Sequence, residues 1–394
     1  MPHLRPRYLQ KNIKKDLSWS SVVSILGMRQ VGKTTLLKQM GRTYTTLDDD
    51  RVLRRFEQGI WTELESAALP LVVDEAQKCP GLFDRVKLIV DRRKRPGQFL
   101  LTGSVRFLSR KRIRESLTGR TSLLELLPLT LAETHSRPLN DFVREMARGN
   151  PEAFVKKIAL RKRFSRSEAE NYFGLGGLPG ICFKRDAQTR RRMQESHLET
   201  LLMRDLQFLL KTGIPFVKLR AILSTLAQNQ GQTLSLSDLG RRVQLSAPTV
   251  IQLIRAFENL FIVRPHGRSW FFSDSGMAHF LGVDRNVSPL FRMECFIYQE
   301  LHAQLNYLHK ASYGFAPYST RGGVRIPFVI ELRDAPTLAI VADATDGASE
   351  KSLKSLTWFA KKRRSPVVSA VLHHGERAYV ASTGAICIPY EWIA

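Results

Sequence analysis

The chain has 394 residues, and its 61 lysines and arginines exceed its 36 aspartates and glutamates by 25. A composition of 43% hydrophobic and 25% charged residues is that of a folded globular protein and excludes a disordered or fibrous one. At about 150 residues per domain, we expect two to four domains. The positive charge favours a polyanionic partner such as nucleic acid.

The cellular compartment is predicted from three features that the sequence does not show: a membrane-spanning stretch, a secretory signal and a disulfide framework. No apolar stretch approaches the roughly 18 residues that would span a bilayer, and the basic N-terminus is not followed by the apolar run of a secretory signal. The four cysteines are too widely spaced for a metal site or a disulfide framework. We therefore expect a cytoplasmic protein with no membrane association.

The predicted elements fall into three regions. Residues 1–134 alternate short apolar strands (21–26, 69–73 and 98–101) with helical patterns such as 34–40, which is typical of an α/β layer architecture. Residues 133–211 are helical and very basic, and the run GLGGLPG at 174–180 interrupts them. The remainder predicts three helices with a short strand pair over 216–268, and then a helix at 293–305 with strands at 328–332, 338–341 and 367–372.

A phosphate-binding loop is predicted at residues 27–34. They fit G-x-x-x-x-G-K-[ST] between a predicted strand and a predicted helix. Lys33 is expected to hold the β and γ phosphates, and the Thr34 hydroxyl to bind Mg²⁺. A chance match on a glycine turn is the alternative. The predicted nucleotide-binding residues are Gly27, Arg29, Gln30, Val31, Gly32, Lys33, Thr34 and Thr35.

Asp74 and Glu75 provide a second, independent signal. They end an apolar predicted strand, so both carboxylates are expected at the C-terminal edge of the sheet, where ligands of open α/β sheets bind. Asp74 is predicted to hold Mg²⁺ through water, and Glu75 to orient or deprotonate the attacking water. The pattern therefore predicts an ATPase that uses ATP and Mg²⁺.

Further polar residues have two interpretations each. Thr102 and Ser104 follow the next predicted strand and suit either a sensor of the γ phosphate or helix caps. Arg120 suits either neutralisation of transition-state charge, from this subunit or a neighbour, or simple solvation. Arg29, inside the phosphate loop, has the same two interpretations.

These motifs resemble a large prokaryotic family of AAA-type ATPases that carries a C-terminal domain of unknown function. The resemblance covers nearly the whole chain and implies an AAA fold, ATP and Mg²⁺, but little about biological role. It rests on GMRQVGKTTLLKQM (27–40), LDDD (47–50), VVDEAQKCPGLF (72–83), FLLTGS (99–104), ESLTGR (115–120) and LLELLPLTLAE (123–133), with GGLPG (176–180) and ESHLETLLMRDL (195–206) further on.

Residues 216–268 fit a winged helix-turn-helix. The predicted helices are 219–229, 236–243 and 247–260, with Ser235 and Ser246 as caps of the second and third. Gln252 and Arg255 are expected on the exposed face of the third helix, and the region is rich in arginine and lysine. A packing module that does not touch DNA is the alternative. The predicted nucleic-acid contacts are Arg241, Arg242, Gln252 and Arg255.

The C-terminal region resembles, through its family, the PD-(D/E)XK nuclease-like fold. The landmark glutamates are Glu294 and Glu300. Relatives carry an aspartate where this chain has Pro327, and a glutamate and a lysine where it has Val341 and Asp343. These departures remove the metal ligands, so nuclease activity is not expected.

The combined prediction is an α/β chain with four parts. They are a P-loop AAA-type core with a parallel sheet (1–134), a basic helical linker (135–212), a winged helix (213–282) and a small, degenerate α/β nuclease-like domain (283–394). We expect an NTPase that couples ATP binding or hydrolysis to a basic C-terminal half facing DNA rather than RNA. The alternative is a nucleotide-gated DNA-binding or scaffold protein without significant turnover. A homo-oligomer or a protein partner stays open.

Overall fold

A computed structural model of the chain describes residues 4–40, 43–106, 117–148, 150–282, 288–309 and 313–394. Two predicted features fall outside or at the edge of these ranges. Glu115 and Ser116 of the ESLTGR motif are not described, and the predicted domain boundary at 282/283 coincides with the end of a described range. Within them, no helix combines the length and the apolar character needed to cross a membrane. All four cysteines are buried and free.

The N-terminal region alternates helices and strands, as predicted. The strands are β1 Val22–Leu26, β2 Thr43–Thr46, β3 Leu71–Asp74, β4 Phe99–Gly103 and β5 Thr121–Glu125, and the helices are α1 Leu9–Leu17, α2 Lys33–Lys38, α3 Asp50–Glu57, α4 Thr62–Ser66 and α5 Gly81–Arg93. Strands β1, β3 and β4 are buried at every position, which explains why they read as uninterrupted apolar runs.

The five strands form one parallel sheet in the order β2-β3-β4-β1-β5. Strand β4 therefore separates β1, which leads into the phosphate loop, from β3, which ends at Asp74. The registers pair Leu26 of β1 with Gly103 of β4, and Val73 of β3 with Leu101 of β4. Because parallel strands end at the same edge, the loops after β1, β3 and β4 meet there.

The next region is helical, as predicted. Its helices are α6 Leu131–Thr134, α7 Phe142–Met146, α8 Pro151–Ala159, α9 Arg166–Leu175, α10 Pro179–Cys182 and α11 Ala187–Glu199, followed by a π-helical segment Thr200–Asp205 and a 3₁₀ turn Leu206–Phe208. Gly176 ends α9 with a φ of +73°. A Cβ there would lie 2.6 Å from both carboxylate oxygens of Asp274, which explains why glycine interrupts the helical pattern.

Three helices and a two-stranded antiparallel sheet occupy the region in which a winged helix is predicted. They are α12 Phe216–Gln228, α13 Leu236–Val243 and α14 Ala247–Asn259, then β6 Val263–His266 paired with β7 Ser269–Phe272, and α15 Ser275–Gly282. The hydroxyls of Ser235 and Ser246 accept the backbone N–H groups of Asp238 and Thr249, so both serines cap helices as expected. The winged-helix assignment itself stays a prediction.

The C-terminal region contains a six-stranded mixed sheet in the order β12-β13-β11-β10-β9-β8. Its elements are α16 Pro289–Leu308, β8 Tyr313–Ser319, β9 Arg325–Leu332, β10 Thr337–Asp343, α17 Glu350–Lys362, β11 Val367–His373, β12 Tyr379–Val380, β13 Ile386–Pro389 and a final 3₁₀ turn Tyr390–Ile393. The predicted strand at 328–332 starts too late, because β9 continues back through Pro327. The ladder of β8 against β9 is irregular at this point, which accommodates a residue without an N–H.

The described residues group into two compact units. The first takes its residues from Met1–Leu129, Leu178–Phe216 and Gln252–Ile262, and the second from Thr130–Gly177, Val217–Ile251 and Val263–Ala394. The predicted domain boundaries follow the order of the chain, whereas the units are discontinuous in it. Those boundaries stay predictions.

Candidate nucleotide-binding site

The phosphate loop connects β1 to α2 in the first unit. Gly27 has a φ of +155°, and a Cβ at this position would lie 2.3 Å from the carbonyl oxygen of Leu126. Gly32 has a φ of +94° and directly precedes α2. Both glycines are therefore required by the backbone, which supports a real phosphate loop over a chance sequence match.

Lys33 lies inside this loop with 5% of its surface exposed. Its ammonium donates to the carbonyl oxygens of Gly27 at 2.8 Å and Met28 at 3.0 Å. Burial lowers the pKa of Lys33, while the charges of Glu75 and Asp74 oppose that shift. The ammonium group of Lys33 is thus held within the loop, where it interacts electrostatically with the carboxylates of Asp74 and Glu75.

Asp74 accepts hydrogen bonds from three hydroxyls. Thr34 Oγ1 and Tyr44 Oη each donate to its Oδ2 at 2.7 Å, and Thr102 Oγ1 donates to its Oδ1. Burial and the bond to Asp74 raise the pKa of Tyr44, so this phenol stays a donor. The predicted pair of Thr34 and Asp74 is therefore in direct contact, with Thr102 reaching it from β4.

Glu75 follows Asp74 in a left-handed conformation, with a φ of +56°. Its backbone N–H donates to Thr102 Oγ1 at 3.1 Å. Its Oε2 accepts from the Ser104 hydroxyl at 3.2 Å and from the Gln77 amide. Thr102 and Ser104 thus lie beside the two carboxylates rather than capping a helix of the described chain.

A cavity of about 470 Å³ opens beside the phosphate loop. That volume falls within the usual range of about 300–1,000 Å³ for small-molecule sites. Six of the predicted nucleotide-binding or catalytic residues line it, together with an N-terminal segment and the start of α10. The lining residues are Leu4, Arg5, Pro6, Arg7, Gln10, Gln30, Gly32, Lys33, Thr34, Thr35, Leu36, Gln39, Glu75, Leu129, Pro179, Gly180 and Met193.

Arg7 joins the N-terminal segment to the phosphate loop. It is 9% exposed, and its Nη1 donates to the carbonyl oxygen of Val31 at 2.6 Å while its Nη2 donates to that of Leu127 at 2.5 Å. Val31, predicted as a nucleotide-binding residue, is buried, and its carbonyl is used in this way. Arg7 thus anchors one wall of the cavity.

Arg29 lies at the start of the loop and contacts a residue far along the chain. Its Nη1 is 3.3 Å from Oδ1 and 3.4 Å from Oδ2 of Asp205, at the end of the π-helical segment. Arg29 was predicted either to neutralise transition-state charge or to be solvated, and neither prediction included a contact with Asp205.

Arg120 lies away from the nucleotide-binding residues. It directly precedes β5, and its carbonyl accepts the N–H of Val22, the first residue of β1. Its guanidinium pairs with Asp91 at 2.6 and 2.9 Å. Since the phosphate loop follows the other end of β1, Arg120 is at the opposite edge of the sheet. The prediction that it neutralises charge from within the same subunit does not fit this position.

The predicted nucleic-acid contacts are all exposed. Arg241 and Arg242 lie at the end of α13, where Arg241 pairs with Asp238. Gln252 and Arg255 lie three residues apart on α14, between buried positions. The exposure expected for these side chains is present, and their role stays a prediction.

The nuclease-like landmarks have structural partners. Glu294 forms a two-pronged ion pair with Arg325, at 2.5 and 2.7 Å. Glu300 accepts the N–H of Leu131 at 3.1 Å, and Asp343 accepts from the backbone N–H of Ser349 at 2.8 Å. Among the residues that the structure describes, no group of three or more histidines, cysteines or carboxylates could hold a metal ion.

Several residues of the site could not be found from the sequence. Tyr44 and Arg7 belong to no contiguous motif, and their contacts join segments far apart in the chain. Gln77 and Asp205 lie in the runs VVDEAQKCPGLF and ESHLETLLMRDL, and Pro179 and Gly180 lie in GGLPG, but none of these runs indicated the contacts that the structure shows.

Comparison with known families agrees with the geometry. Residues 20–135 match a family model described as an AAA domain, and residues 166–269 match a domain of unknown function. The first match covers the sheet, the phosphate loop and both carboxylates. It supports an ATP-binding NTPase of the AAA type.

Two curated relatives match almost the entire chain. They are uncharacterized proteins of Mycobacterium bovis and Mycobacterium tuberculosis, each 24% identical over 411 residues, and each alignment covers 97% of this chain and 82% of the relative. This similarity is therefore to proteins whose own function is not described.

Solved structures with partial similarity include two nucleotide-related proteins. A Walker-type ATPase of Pyrococcus abyssi is 16% identical, with a TM-score of 0.41, over 69% of this chain and 94% of that one. DnaA of Aquifex aeolicus, solved with AMPPCP, is 18% identical, with a TM-score of 0.28, over 63% of this chain and 86% of that one.

Proposed function

We propose that this chain binds ATP together with Mg²⁺ in the cavity beside Lys33 and hydrolyses it to ADP and phosphate. The observation that carries the proposal is the convergence of Lys33, Thr34, Asp74 and Glu75, from two separate loops, at one edge of a parallel sheet. A cation, a hydroxyl and two carboxylates in this arrangement are the parts that phosphoryl transfer requires.

The oxygen donors fit a magnesium ion. Thr34 and Asp74 are hard oxygen ligands already in contact, and Mg²⁺ ordinarily takes one or two protein ligands together with phosphate oxygens and water. Bound Mg²⁺ would neutralise charge on the β and γ phosphate oxygens. Thr34 and Asp74 would hold it, and Tyr44 and Thr102 would keep the Asp74 carboxylate in place.

Hydrolysis assigns a role to each remaining side chain. The backbone N–H groups of the loop and Lys33 hold the phosphates. Glu75 orients a water molecule and takes its proton as the water oxygen bonds to the γ phosphorus and the bond to the β–γ bridging oxygen breaks. ADP leaves with that oxygen, and inorganic phosphate is released. Ser104 and Gln77, which bond to Glu75, would align its carboxylate.

We further propose that the exposed side chains of Arg242 on α13 and of Gln252 and Arg255 on α14 contact DNA. The support is the excess of 25 positive charges and the exposure of Arg242, Gln252 and Arg255. Lysine and arginine side chains that neutralise phosphates release counterions, which drives such binding.

A second candidate function is a nucleotide-gated binding protein with little turnover. One observation favours it: the Glu75 carboxylate is engaged by Gln77 and Ser104, so the group that would activate water is already hydrogen-bonded. In this case ATP binding alone would change the affinity for DNA.

ATP turnover of the purified chain, titrated with duplex and with single-stranded DNA, separates the two functions. Stimulated turnover supports the ATPase, whereas DNA affinity that depends on ATP without turnover supports the alternative. Lys33→Ala should abolish turnover and weaken ATP binding, because the buried cation is lost. Lys14→Ala, an exposed lysine of α1, is the matched control. Normal hydrolysis by folded Lys33→Ala protein would show that the site is wrong.

A further inference from the structure

The ion pair between Arg29 and Asp205 connects the phosphate loop to the π-helical segment Thr200–Asp205. The two residues are 176 positions apart. Asp205 is almost fully buried, with 3% of its side chain exposed, whereas Arg29 is 22% exposed. Burial raises the pKa of Asp205, and the neighbouring Arg29 charge opposes that rise.

Asp205 engages only one nitrogen of the guanidinium. Both of its oxygens contact Nη1, at 3.3 and 3.4 Å. Within the described ranges, Nε and Nη2 of Arg29 have no protein partner. Arginine presents five N–H donors in a rigid planar fork, so the donors on these two nitrogens remain available to a ligand.

Arg29 and Lys33 are the charged groups that act on the buried imidazole of His197. His197, at the end of α11, is 1% exposed, and neither of its ring nitrogens has a hydrogen-bond partner in the described part of the chain. Burial, followed by the charges of Arg29 and Lys33, lowers the pKa of His197 to about 4, so its imidazole is neutral at pH 7. The π-helical turn beside it is a rare element that often occurs at functional sites.

We propose that Asp205 is a positioning residue that holds Arg29 through Nη1, so that Nε and Nη2 bind the phosphates of the nucleotide. Arg29 is then a second phosphate-binding cation beside Lys33. The ligand class is a nucleoside di- or triphosphate. This inference rests on the proposed nucleotide binding and adds a residue that belongs to no phosphate-loop motif.

The ion pair between Arg29 and Asp205 is expected to persist when phosphates bind, because Asp205 is buried. A buried carboxylate that loses its ion-pair partner is strongly destabilised. Arg29 therefore stays on Asp205 when phosphates bind, and the fixed guanidinium loses less conformational freedom on binding than an unsupported one. A fixed cation strengthens nucleotide binding without taking part in the chemical step.

The test is a double-mutant cycle on MgATP affinity and on steady-state turnover. The variants are Arg29→Ala, Asp205→Asn and the double variant, with Arg204→Gln as the control for an adjacent exposed charge. We expect Arg29→Ala to weaken ATP binding about tenfold or more, as for a lost hydrogen bond to a charged group. Asp205→Asn should weaken it less and raise KM with kcat unchanged, which is the sign of lost ground-state binding. The double variant should be no weaker than Arg29→Ala, and Arg204→Gln should match the wild type.

Three outcomes would overturn the inference. They are unchanged ATP affinity in Asp205→Asn, a tighter affinity in that variant, or an effect of Asp205→Asn that persists in the Arg29→Ala background. If Asp205→Asn does not fold, Arg29→Lys replaces it, because lysine lacks the fork, and wild-type affinity in Arg29→Lys would then be decisive against the proposal. Failure of the wild type to bind MgATP would instead contradict the proposed function.

Discussion

At the scale of residues, the Asp74 carboxylate is the centre of the candidate site. Thr34, Tyr44 and Thr102 donate to it from α2, β2 and β4 respectively. Three donors on one carboxylate fix its orientation, since each bond removes a rotational alternative. The neighbouring Glu75 is held by a different set of partners, so the two adjacent acids can carry separate tasks.

Glu75→Gln should bind ATP normally and hydrolyse it at least about tenfold more slowly, which corresponds to about 1.4 kcal/mol on the barrier. The amide keeps the size of the side chain and can still accept from Ser104, but it cannot take the proton of the attacking water. Single-turnover hydrolysis together with a binding titration measures both effects. Glu65→Gln, which changes an exposed carboxylate of the same unit, is the control. Unchanged turnover in Glu75→Gln would remove Glu75 from the mechanism.

At the scale of elements, the GLGGLPG segment shows why one glycine is required and another is not. Gly174 lies inside α9, where a Cβ would meet only a ring carbon of His279 at 3.9 Å. Gly176 has a positive φ, and a Cβ would meet the Asp274 carboxylate and the N–H of Gly276 at 2.6 and 2.7 Å. The motif therefore contains both a tolerant and an intolerant position.

Gly176→Ala should lower the free energy of unfolding by about 2 kcal/mol or more, because both the backbone conformation and the space exclude a methyl group. Gly174→Ala, the matched control, should leave it unchanged or raise it by up to about 1 kcal/mol through better helix propensity. Urea denaturation of both variants measures the difference. Equal stability of the two would mean that the loop is not packed against Asp274.

Glu300 on α16 makes stability depend on pH. It is fully buried, one oxygen accepts the N–H of Leu131, and the other has no partner among the described residues. Burial, with a smaller effect of the Glu133 charge, raises the pKa of Glu300 from 4.5 to about 7. Because the folded-state pKa is raised, the stabilising contribution is present below about 4.5 and is lost as the pH rises through 7.

Glu300→Gln should therefore gain stability relative to the wild type as the pH rises from 5 to 8, by roughly 3 kcal/mol at most. The amide oxygen can still accept from Leu131 but carries no charge. Urea denaturation at several pH values gives the difference between the two curves. Glu331→Gln, an exposed site, should run parallel to the wild type. A parallel curve for Glu300→Gln would mean that its carboxyl titrates normally.

At the scale of the whole molecule, the excess of 25 positive charges is the feature that the nucleotide site does not explain. If about six phosphates are neutralised, log K for DNA should fall against log salt with a slope of about −5. Fluorescence anisotropy of labelled duplex between about 50 and 200 mM salt measures this slope. A flat dependence, or no binding at the lowest salt, would leave the charge without a nucleic-acid role.

Reversing the charge of single residues tests whether α13 and α14 form the DNA contact surface. Arg242→Glu and Arg255→Glu should weaken DNA binding more than Lys14→Glu and Lys15→Glu, which reverse exposed charges at the end of α1. Both pairs change the net charge equally, so a general electrostatic effect cancels between them. Equal losses would exclude α13 and α14 as the contact surface.

The sequence by itself determined the features that depend on consecutive residues. The phosphate loop at 27–34, the strand that ends at Asp74 and the capped helices α13 and α14 all follow from local spacing, and the structure places them where they were predicted. Helix and strand periodicity, glycine positions and caps act over a few residues, which is why these predictions succeeded.

Only the tertiary structure decided which distant side chains meet. The position of β4 between β1 and β3 brings Thr102 to Asp74, and the direction of β5 takes Arg120 to the edge of the sheet opposite the phosphate loop. The pairing of Arg29 with Asp205 joins residues 176 positions apart. Strand order and chain direction are set by packing over the whole unit, and a spacing along the chain carries no information about them.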